Sequence, residues 1–437
     1  MTRAATAALV CLVVAAPVSG QVPATISGSI SALVDHLPNV PDPAGGRSRS
    51  AAELRVRGVL DLQIDPKPWL RVRLAGVADG LMADRGEGAR AARAARIDAL
   101  EAWVEAAGTR GDVRAGVGRL AWGRLDEVQP TDVINPIDVA TFLLEGRSEA
   151  RLAVPFVRAR FLGGDALRVE GVLVPAFRAG TFDRLDEATS PFNLLLDLPG
   201  PACPPGVPCP DRWSFERASP DVGALQGGGR VSVTTGRVDW SVSAWNGFLP
   251  FALTGGLSAA RPGTLTLVHP RYTMLGADIE TVRGQWAIRA EGAYFPGRPL
   301  QVDGVPEIFE GDSIEAGAGV DRRAGDFTLS GTVLVRHEDV ARRGADGMLT
   351  PGARTNVSAV AGFSRSYNRD RIETRVFSLV NPADRAAFIR GVVTWKPIDD
   401  VAIDATAGWF AGEGDDVITR FGDRDFAFVR MKYFFGR

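Results

Sequence analysis

The serine best placed in the sequence for nucleophilic chemistry is Ser313, which follows Gly311 and Asp312. A serine hydroxyl becomes a useful nucleophile when a neighbouring base takes its proton. The last histidine of the chain is His337, and the Arg-His-Glu-Asp run around it lacks the spacing of a catalytic Asp-x-x-His. Because a nucleophile without a base is not a catalytic site, we predict no catalytic residue and no enzymatic activity.

Cysteine and histidine side chains do not indicate a metal site. The two cysteines outside the N-terminal leader are Cys203 and Cys209, in the proline-rich run PACPPGVPCPD. In an oxidising compartment we expect them to form a disulfide. The three histidines lie far apart in the sequence, and a structural metal site needs more ligands than one cysteine pair. We therefore predict no metal and no cofactor.

Arginine recurs at every second position of several segments. Arg55, Arg57, Arg71 and Arg73, for example, alternate with leucine, valine and glycine. Charged residues at alternate positions cannot face a dry core, so we expect them to face water in an enclosed lumen, where rings of charge select solutes. The candidates for the pore lining or its constriction are Arg55, Arg57, Arg71, Arg73, Arg114, Arg158, Arg160 and Arg289, and Arg168 and Arg375 complete the predicted inward set.

An acidic stretch with two prolines interrupts this pattern between residues 121 and 151. It includes WGRLDEVQPTDVINPID, in which Pro130 and Pro136 exclude a central strand. We predict a long loop that either covers a pore from outside or folds into it. A basic wall facing an acidic loop would create a transverse field across a constriction; alternatively, the charges pair and stiffen the wall. The acidic candidates are Asp126, Glu127, Asp132 and Asp138.

The elements that carry these residues have the periodicity of β-strands. From Thr273 to Phe295, apolar side chains occupy one face and Arg283, Arg289 and Glu291 the other. Similar runs of about ten residues, the length of a tilted transmembrane strand, are joined in pairs by tight turns. The turns are predicted near Pro66, Gly108, Gly164, Gly236, Gly284, Gly325, Asn368 and Pro397.

Eight hairpins, a first strand at Ala24 to Val34 and a last strand at Asp425 to Phe435 give eighteen strands. We predict an all-β fold, a transmembrane antiparallel up-and-down β-barrel with short periplasmic turns and long extracellular loops. Sixteen strands is the alternative count, because the first segment is weakly patterned. The longer connections are predicted at residues 79 to 95, 121 to 151, 177 to 227, 248 to 272 and 337 to 355.

The chain begins with a leader of residues 1–20, in which Arg3 precedes an apolar run and small residues stand before Gln21. This pattern predicts a secretory signal peptide, and residues 21–437 are predicted to form a single barrel domain in the outer membrane of a Gram-negative cell. Four tryptophans fall on predicted lipid faces near strand ends, as in an interfacial girdle: Trp240, Trp286, Trp395 and Trp409.

Residues 118 to 176 resemble a porin-like family of proteobacterial outer-membrane proteins of unknown function. The matching elements are Trp122-Gly123, Asn135-Pro136-Ile137-Asp138, Val154-Pro155 and Val169-Glu170-Gly171. The family usually has an acid after Trp-Gly, where this chain has Arg124. The resemblance implies a porin-like barrel and does not imply a substrate.

Taken together, the sequence predicts a channel for passive diffusion of small solutes. The alternative is a barrel plugged by its loops that serves as a conduit or docking surface for hydrophobic compounds or partner proteins. The expected partners are outer-membrane lipid, small solutes and the barrel-assembly machinery, which would recognise the aromatic-ended strand DFAFVRMKYFFGR; a homo-oligomer is left open. The formal net charge of -2 gives no indication of a nucleic-acid partner.

Overall fold

The structure is a computed structural model, which describes residues 23–40, 49–84, 92–198, 200–201, 213–218, 224–258, 261, 263–301, 308–343, 349–414 and 416–436. The predicted signal peptide and the Cys203 and Cys209 pair lie outside the described residues, so both stay predictions.

Antiparallel strands form a single closed sheet of eighteen members. The sheet closes where β1 pairs with β21, with Gly28 opposite Phe435. A separate sheet of three short strands, β8, β11 and β12, lies in the connections. The strands are β1 (Ala24–Val40), β2 (Arg49–Lys67), β3 (Leu70–Asp84), β4 (Ala92–Gly108), β5 (Gly111–Gly118), β6 (Val154–Gly163), β7 (Leu167–Val174), β8 (Ser214–Ala218), β9 (Gln226–Thr235), β10 (Val238–Phe248), β11 (Leu253–Leu257), β12 (Thr264–Val268), β13 (Arg271–Arg283), β14 (Trp286–Leu300), β15 (Phe309–Ala324), β16 (Phe327–Arg343), β17 (Leu349–Tyr367), β18 (Ile372–Asn381), β19 (Ala386–Ile398), β20 (Val401–Ala411) and β21 (Phe426–Phe435).

The predicted barrel and its count of eighteen strands are confirmed, and a tight turn lies at each of the eight predicted places. Two connections, predicted at residues 79 to 95 and 337 to 355, are shorter than predicted. β3 continues to Asp84 and β4 begins at Ala92, while β16 continues to Arg343 and β17 begins at Leu349. The prediction limited each strand to the thickness of a bilayer, whereas these strands continue past it on the loop side.

Apolar side chains cover the outer face of the barrel. Ile30, Leu60, Ile288 and Val333 are exposed there, while the residues beside them in each strand point inward. Tryptophan marks the margins of this apolar belt, as predicted: Trp240, Trp286, Trp395 and Trp409 are exposed near strand ends. A closed sheet with such a surface is a transmembrane β-barrel, since closure satisfies every backbone group without water.

Little of the described chain is helical. α1 (Val139–Glu145) and α2 (Arg147–Ala150) follow β5, and single 3-10 turns occupy Leu194–Asp197 and Thr419–Phe421. Within the described ranges, neither α-helix has the length and apolar character needed to cross a bilayer.

Candidate functional site in the barrel lumen

Residues 119–153, here named the infolded segment, cross the interior of the barrel. The Thr131 amide donates to Glu291 of β14 at 2.7 Å, and Arg57 of β2 donates to Glu145 at 3.1 Å. β2 and β14 are nine strands apart in a ring of eighteen, so they form opposite walls. A segment that is bonded to both walls must lie in the lumen. The predicted loop therefore folds into the barrel.

Two polar side chains fix the start of the infolded segment. Trp122 is buried and donates its indole N–H to Glu170 of β7 at 2.6 Å. Asn135 accepts the Leu120 amide at 2.7 Å and donates to the Leu152 carbonyl at 2.6 Å, so it joins the two ends of the segment. Since a buried polar group without a partner is costly, the Trp-Gly, Asn-Pro and Val-Glu-Gly elements form one anchoring unit.

Helix α1 is held at both ends. Asp138 caps its N-terminus by accepting the Thr141 amide at 2.9 Å. Near its C-terminus, Glu145 accepts from Arg57 of β2 and Arg430 of β21. Burial raises the pKa of Glu145, but the two guanidinium groups outweigh burial and hold that pKa below its usual value. Glu145 is therefore a carboxylate that pins α1 to the wall at neutral pH.

Residues 124–129, here named the tip of the infolded segment, reach the wall opposite β5 and β6, the two strands that the segment connects. Leu125 is buried against Leu334 of β16 and Val360 of β17. Gly317 of β15 makes room for it, because a Cβ there would lie 2.7 Å from Leu125 Cδ1. The tip therefore closes on the wall through apolar packing.

Ion pairs flank the tip on the β13 and β14 side. Arg124 pairs with Asp278 and Glu280 of β13, and Asp126 accepts from Arg289 of β14 at 2.8 Å. An acid at position 124 would face two carboxylates here. Arg124 thus matches the acidic wall of this particular barrel.

A second segment, residues 175–198, packs on the first. The Val139 amide donates to the Thr181 carbonyl at 2.8 Å, and Asp183 accepts from Arg55 of β2 at 2.7 Å. Although burial raises the pKa of Asp183, the charge of Arg55 lowers it to a net value below normal. The start of the predicted 177 to 227 loop therefore reinforces the infolded segment.

Two apolar clusters fill sectors of the lumen around these segments. One joins Leu143 and Leu144 of α1 to Phe192, Phe388 and Phe426, among others. The other surrounds Trp122, whose ring lies 5.8 Å from that of Trp245; it also contains Trp103, Leu120, Ile134, Val154, Phe156, Val172, Val174, Leu249, Tyr272, Met274, Ala293 and Phe295. Each buried aromatic contributes on the order of 1.5–3 kcal/mol, so both segments are parts of the core.

The eight arginines assigned to the pore lining each form an ion pair within the described chain. Arg158 is the most enclosed, with 8% of its side chain exposed. The pairs are Arg55 with Glu53 and Asp183, Arg57 with Asp79 and Glu145, Arg71 with Asp65, Arg73 with Asp61, Arg114 with Glu105, Arg158 and Arg160 with Asp112, and Arg289 with Asp126 and Asp321.

The four acidic candidates have different partners. Asp126 pairs with Arg289 of the wall. Glu127 accepts the Arg147 amide at 3.2 Å, Asp132 pairs with Arg147 and Arg151 inside the segment, and Asp138 caps α1. The assignment of these acids and of the eight arginines to a constriction stays a prediction.

The inner wall of β16, β17 and β18 stays open to water. The side chains of Arg336, Arg354 and Arg375 are 52%, 57% and 51% exposed. Arg336 and Arg354 are not among the predicted pore-lining residues, because Arg336 directly precedes the predicted loop of residues 337 to 355 and Arg354 lies within it. Continuing the period of two from Leu334 would have placed Arg336 inward.

Two polar cavities lie beside the tip of the infolded segment. The larger, of about 810 Å³, reaches the β6–β7 turn and is lined by Arg124, Arg168, Arg230, Arg289 and Glu280, among others. The smaller, of about 450 Å³, lies against β16 to β21 and includes Thr332, Ser364, Arg375, Arg390 and Arg430. Asp126 and Gln129 line both cavities. The tip therefore stands between two water-accessible spaces, and these two residues line both.

The serine considered for catalysis is not arranged for it. Ser313 is buried on the inner face of β15, while Asp312 points outward and accepts from Tyr294 at 2.6 Å. His337 stands opposite Ile314 in the register and so faces outward too. Among the described residues, no group of three or more His, Cys, Asp or Glu side chains is placed to hold a metal ion.

Solved structures share the fold at very low sequence identity. OccAB4 of Acinetobacter baumannii is 9% identical, with a TM-score of 0.51 over 95% of this chain and 99% of that chain. A BenF-like porin from Pseudomonas fluorescens Pf-5 is 10% identical, with a TM-score of 0.50 over 95% and 98%. No protein-family model matches the sequence, and no curated protein matches it. The chain is thus similar in fold to bacterial barrels that include a porin.

Proposed function

We propose that this protein is an outer-membrane channel through which small hydrophilic solutes diffuse passively. The observation that carries the proposal is the pair of polar cavities, of about 810 and 450 Å³, whose linings share Asp126 and Gln129. Cavities of this size hold small molecules. An apolar outer wall around a polar interior is the arrangement of a porin.

The proposed route follows the inner wall of β16 to β18. Arg336 and Arg354 line it on the extracellular side, and Arg375 lines it next to the smaller cavity. That cavity is bounded by five arginines and three carboxylates, a formal excess of two positive charges. A positively charged lining raises the local concentration of anions, so the proposed channel prefers small anions to cations of equal size.

Swelling of proteoliposomes in sugars, amino acids and organic acids tests the proposal. Thr332 lines the smaller cavity, and its neighbour Val333 faces lipid. Thr332→Trp should slow swelling at least severalfold, because the indole fills the route, whereas Val333→Trp should leave it unchanged. Absence of swelling with the unmodified protein, or equal swelling with both variants, would contradict the proposal.

A second candidate function is supported by the two apolar clusters inside the lumen. Both clusters bury the infolded segment against the wall, as expected of a plugged barrel. In that case the protein would be a conduit or docking surface for hydrophobic compounds or partner proteins. No member of the solute panel would then enter, while a hydrophobic fluorophore would bind to the barrel in detergent with saturation.

We further propose that the chain belongs to the porin-like family that its Trp-Gly, Asn-Pro-x-Asp and Val-Glu-Gly elements resemble. The hydrogen bonds of Trp122 and Asn135 support this, since they give those elements a common task in holding the infolded segment. Recognition of β21 by the barrel-assembly machinery and formation of a homo-oligomer are part of the same proposal. Crosslinking in native membranes would reveal both.

A further inference from the structure

Three arginines lie on the outer face of the barrel next to the short turns. Arg283 of β13 and Arg322 of β15 both lie opposite Trp286 of β14, one on each side. Arg365 of β17 lies opposite Phe327 of β16. Residues that are paired in a ladder share a face of the sheet, and Trp286 and Phe327 are exposed on the outer face. The three guanidinium groups therefore belong to the lipid-facing side.

Aromatic rings fix the height of two of these guanidinium groups. Arg322 stacks over Trp286 with its Cζ 5.0 Å from the ring centroid, and Arg365 stacks over Tyr367 at 4.7 Å. Tryptophan and tyrosine lie at the level of the lipid headgroups. A cation stacked on such a ring is held at the same level, on the periplasmic side where the short turns of these barrels lie.

No carboxylate of the described chain neutralises this group. All three arginines are exposed, and within the described ranges no ion pair involves Arg283, Arg322 or Arg365. Most inward arginines, in contrast, pair with acids. An exposed cation at a membrane surface attracts the phosphate of anionic lipids, and arginine binds phosphate with a fork of donors.

The group is confined to one arc of the barrel. Neighbouring strands lie about 4.8 Å apart, so Arg283 and Arg322, two strands apart, have Cα atoms roughly 10 Å apart, within reach of one headgroup. Two residues from the turn-side ends of β5, β6 and β10, the outer face presents Val113, Phe161 and Trp240 instead. Exposed cations also stand near other short turns, at Lys67, Arg110 and Arg237, whereas Arg283, Arg322 and Arg365 lie together on every second strand of one arc, β13, β15 and β17.

From this arrangement we infer that Arg283, Arg322 and Arg365 bind the phosphate headgroups of anionic phospholipids in the periplasmic leaflet. Trp286, Phe327 and Tyr367 would border the headgroups and pack on the start of their acyl chains. The site is independent of conduction, because it lies on the opposite face of the wall from the lumen.

Native mass spectrometry of the full protein in detergent, with phosphatidylglycerol or phosphatidylethanolamine added, tests the inference. The unmodified protein should retain phosphatidylglycerol at least fivefold more than the zwitterionic lipid. The triple variant Arg283→Gln, Arg322→Gln, Arg365→Gln should lose most of this preference. A control with the same change in charge, Lys67→Gln, Arg110→Gln, Arg237→Gln, alters cations near turns of other strands and should keep it.

Equal retention of phosphatidylglycerol by the two triple variants would overturn the inference. Millimolar inorganic phosphate distinguishes a lipid site from a simple phosphate site: displacement of the lipid by phosphate alone would also overturn it. If the triple variant fails to show heat-modifiable migration, which reports a folded barrel, Arg365→Gln alone replaces it. That single variant should lose part of the preference, and full retention would count against the site.

Discussion

Reversing the charge at Arg375 should change which ions the protein passes. Arg375→Glu replaces a side chain that is 51% exposed beside the smaller cavity and alters the local charge by two units. At about 6 Å in water, one unit charge acts on a passing ion with about 0.7 kcal/mol. Two units therefore shift the energy of an anion by about 1.4 kcal/mol and that of a cation by about the same amount in the opposite direction. Without screening, the ratio of anion to cation permeability changes by about 2.8 kcal/mol, or roughly a hundredfold.

Screening by salt sets the size of the measurable effect. With Debye lengths of about 30 Å at 0.01 M and 10 Å at 0.1 M salt, the expected change in the ratio is about fiftyfold and about thirteenfold respectively. Reversal potentials across planar bilayers in a KCl gradient measure the ratio. Arg375→Gln should give about half the free-energy change, and Arg261→Glu, in an exposed loop, should give none.

A ratio that stays within twofold of the unmodified protein at 0.01 M salt would refute the proposed route along β16 to β18. A change of equal size at both salt concentrations would refute the electrostatic reasoning, since it would indicate an altered pore shape. Heat-modifiable migration of each variant confirms beforehand that the barrel is folded.

Three other predictions concern the infolded segment. Leu125→Ala should raise single-channel conductance by removing the contact of the tip with the wall, and unchanged conductance would place the narrowest point elsewhere. Glu170→Ala removes the acceptor of the Trp122 indole N–H and should weaken this anchor by roughly 1–3 kcal/mol, detectable as faster proteolysis between residues 119 and 153, with Glu373→Ala as the control. Because the pKa of Glu145 is lowered in the folded state, its stabilisation is complete above the unfolded pKa of about 4.3 and is lost as pH falls through the lower folded value. Conductance noise should therefore stay constant from pH 7 to 5 and rise only in more acidic solution, whereas Glu145→Gln should be noisy throughout.

The barrel could be predicted from the sequence because its signal is local. Each strand alternates apolar and polar residues, and each short turn interrupts the alternation at a glycine, an asparagine or a proline. Gly236, Gly284 and Gly325 adopt positive φ in these turns, a conformation that glycine tolerates best. Period and punctuation together therefore determine the number of strands without knowledge of any distant contact.

The interior could be predicted only in outline, because its contacts join residues far apart in the chain. Nothing near Glu145 in the sequence indicates that its partners are Arg57 and Arg430. Likewise, the alternation of residues assigns both Arg158 and Arg375 to the inner face. It does not reveal that neighbouring residues enclose Arg158 and leave Arg375 half exposed. The alternation along a strand assigns a side chain to the inner or the outer face. The packing of the infolded segment then decides which inward side chains remain exposed to solvent.

The seam of the barrel bears on the order in which the molecule is assembled. The wall is completed only when β21, the last strand, joins β1. The apolar cluster around Leu143 and Leu144 of α1 includes Leu33 of β1, on one side of that seam, and Phe426 of β21, on the other. Since neither strand alone offers all of these apolar contacts, α1 gains its full packing only when β1 and β21 are paired. We therefore expect docking of α1 and closure of the barrel to stabilise each other during assembly.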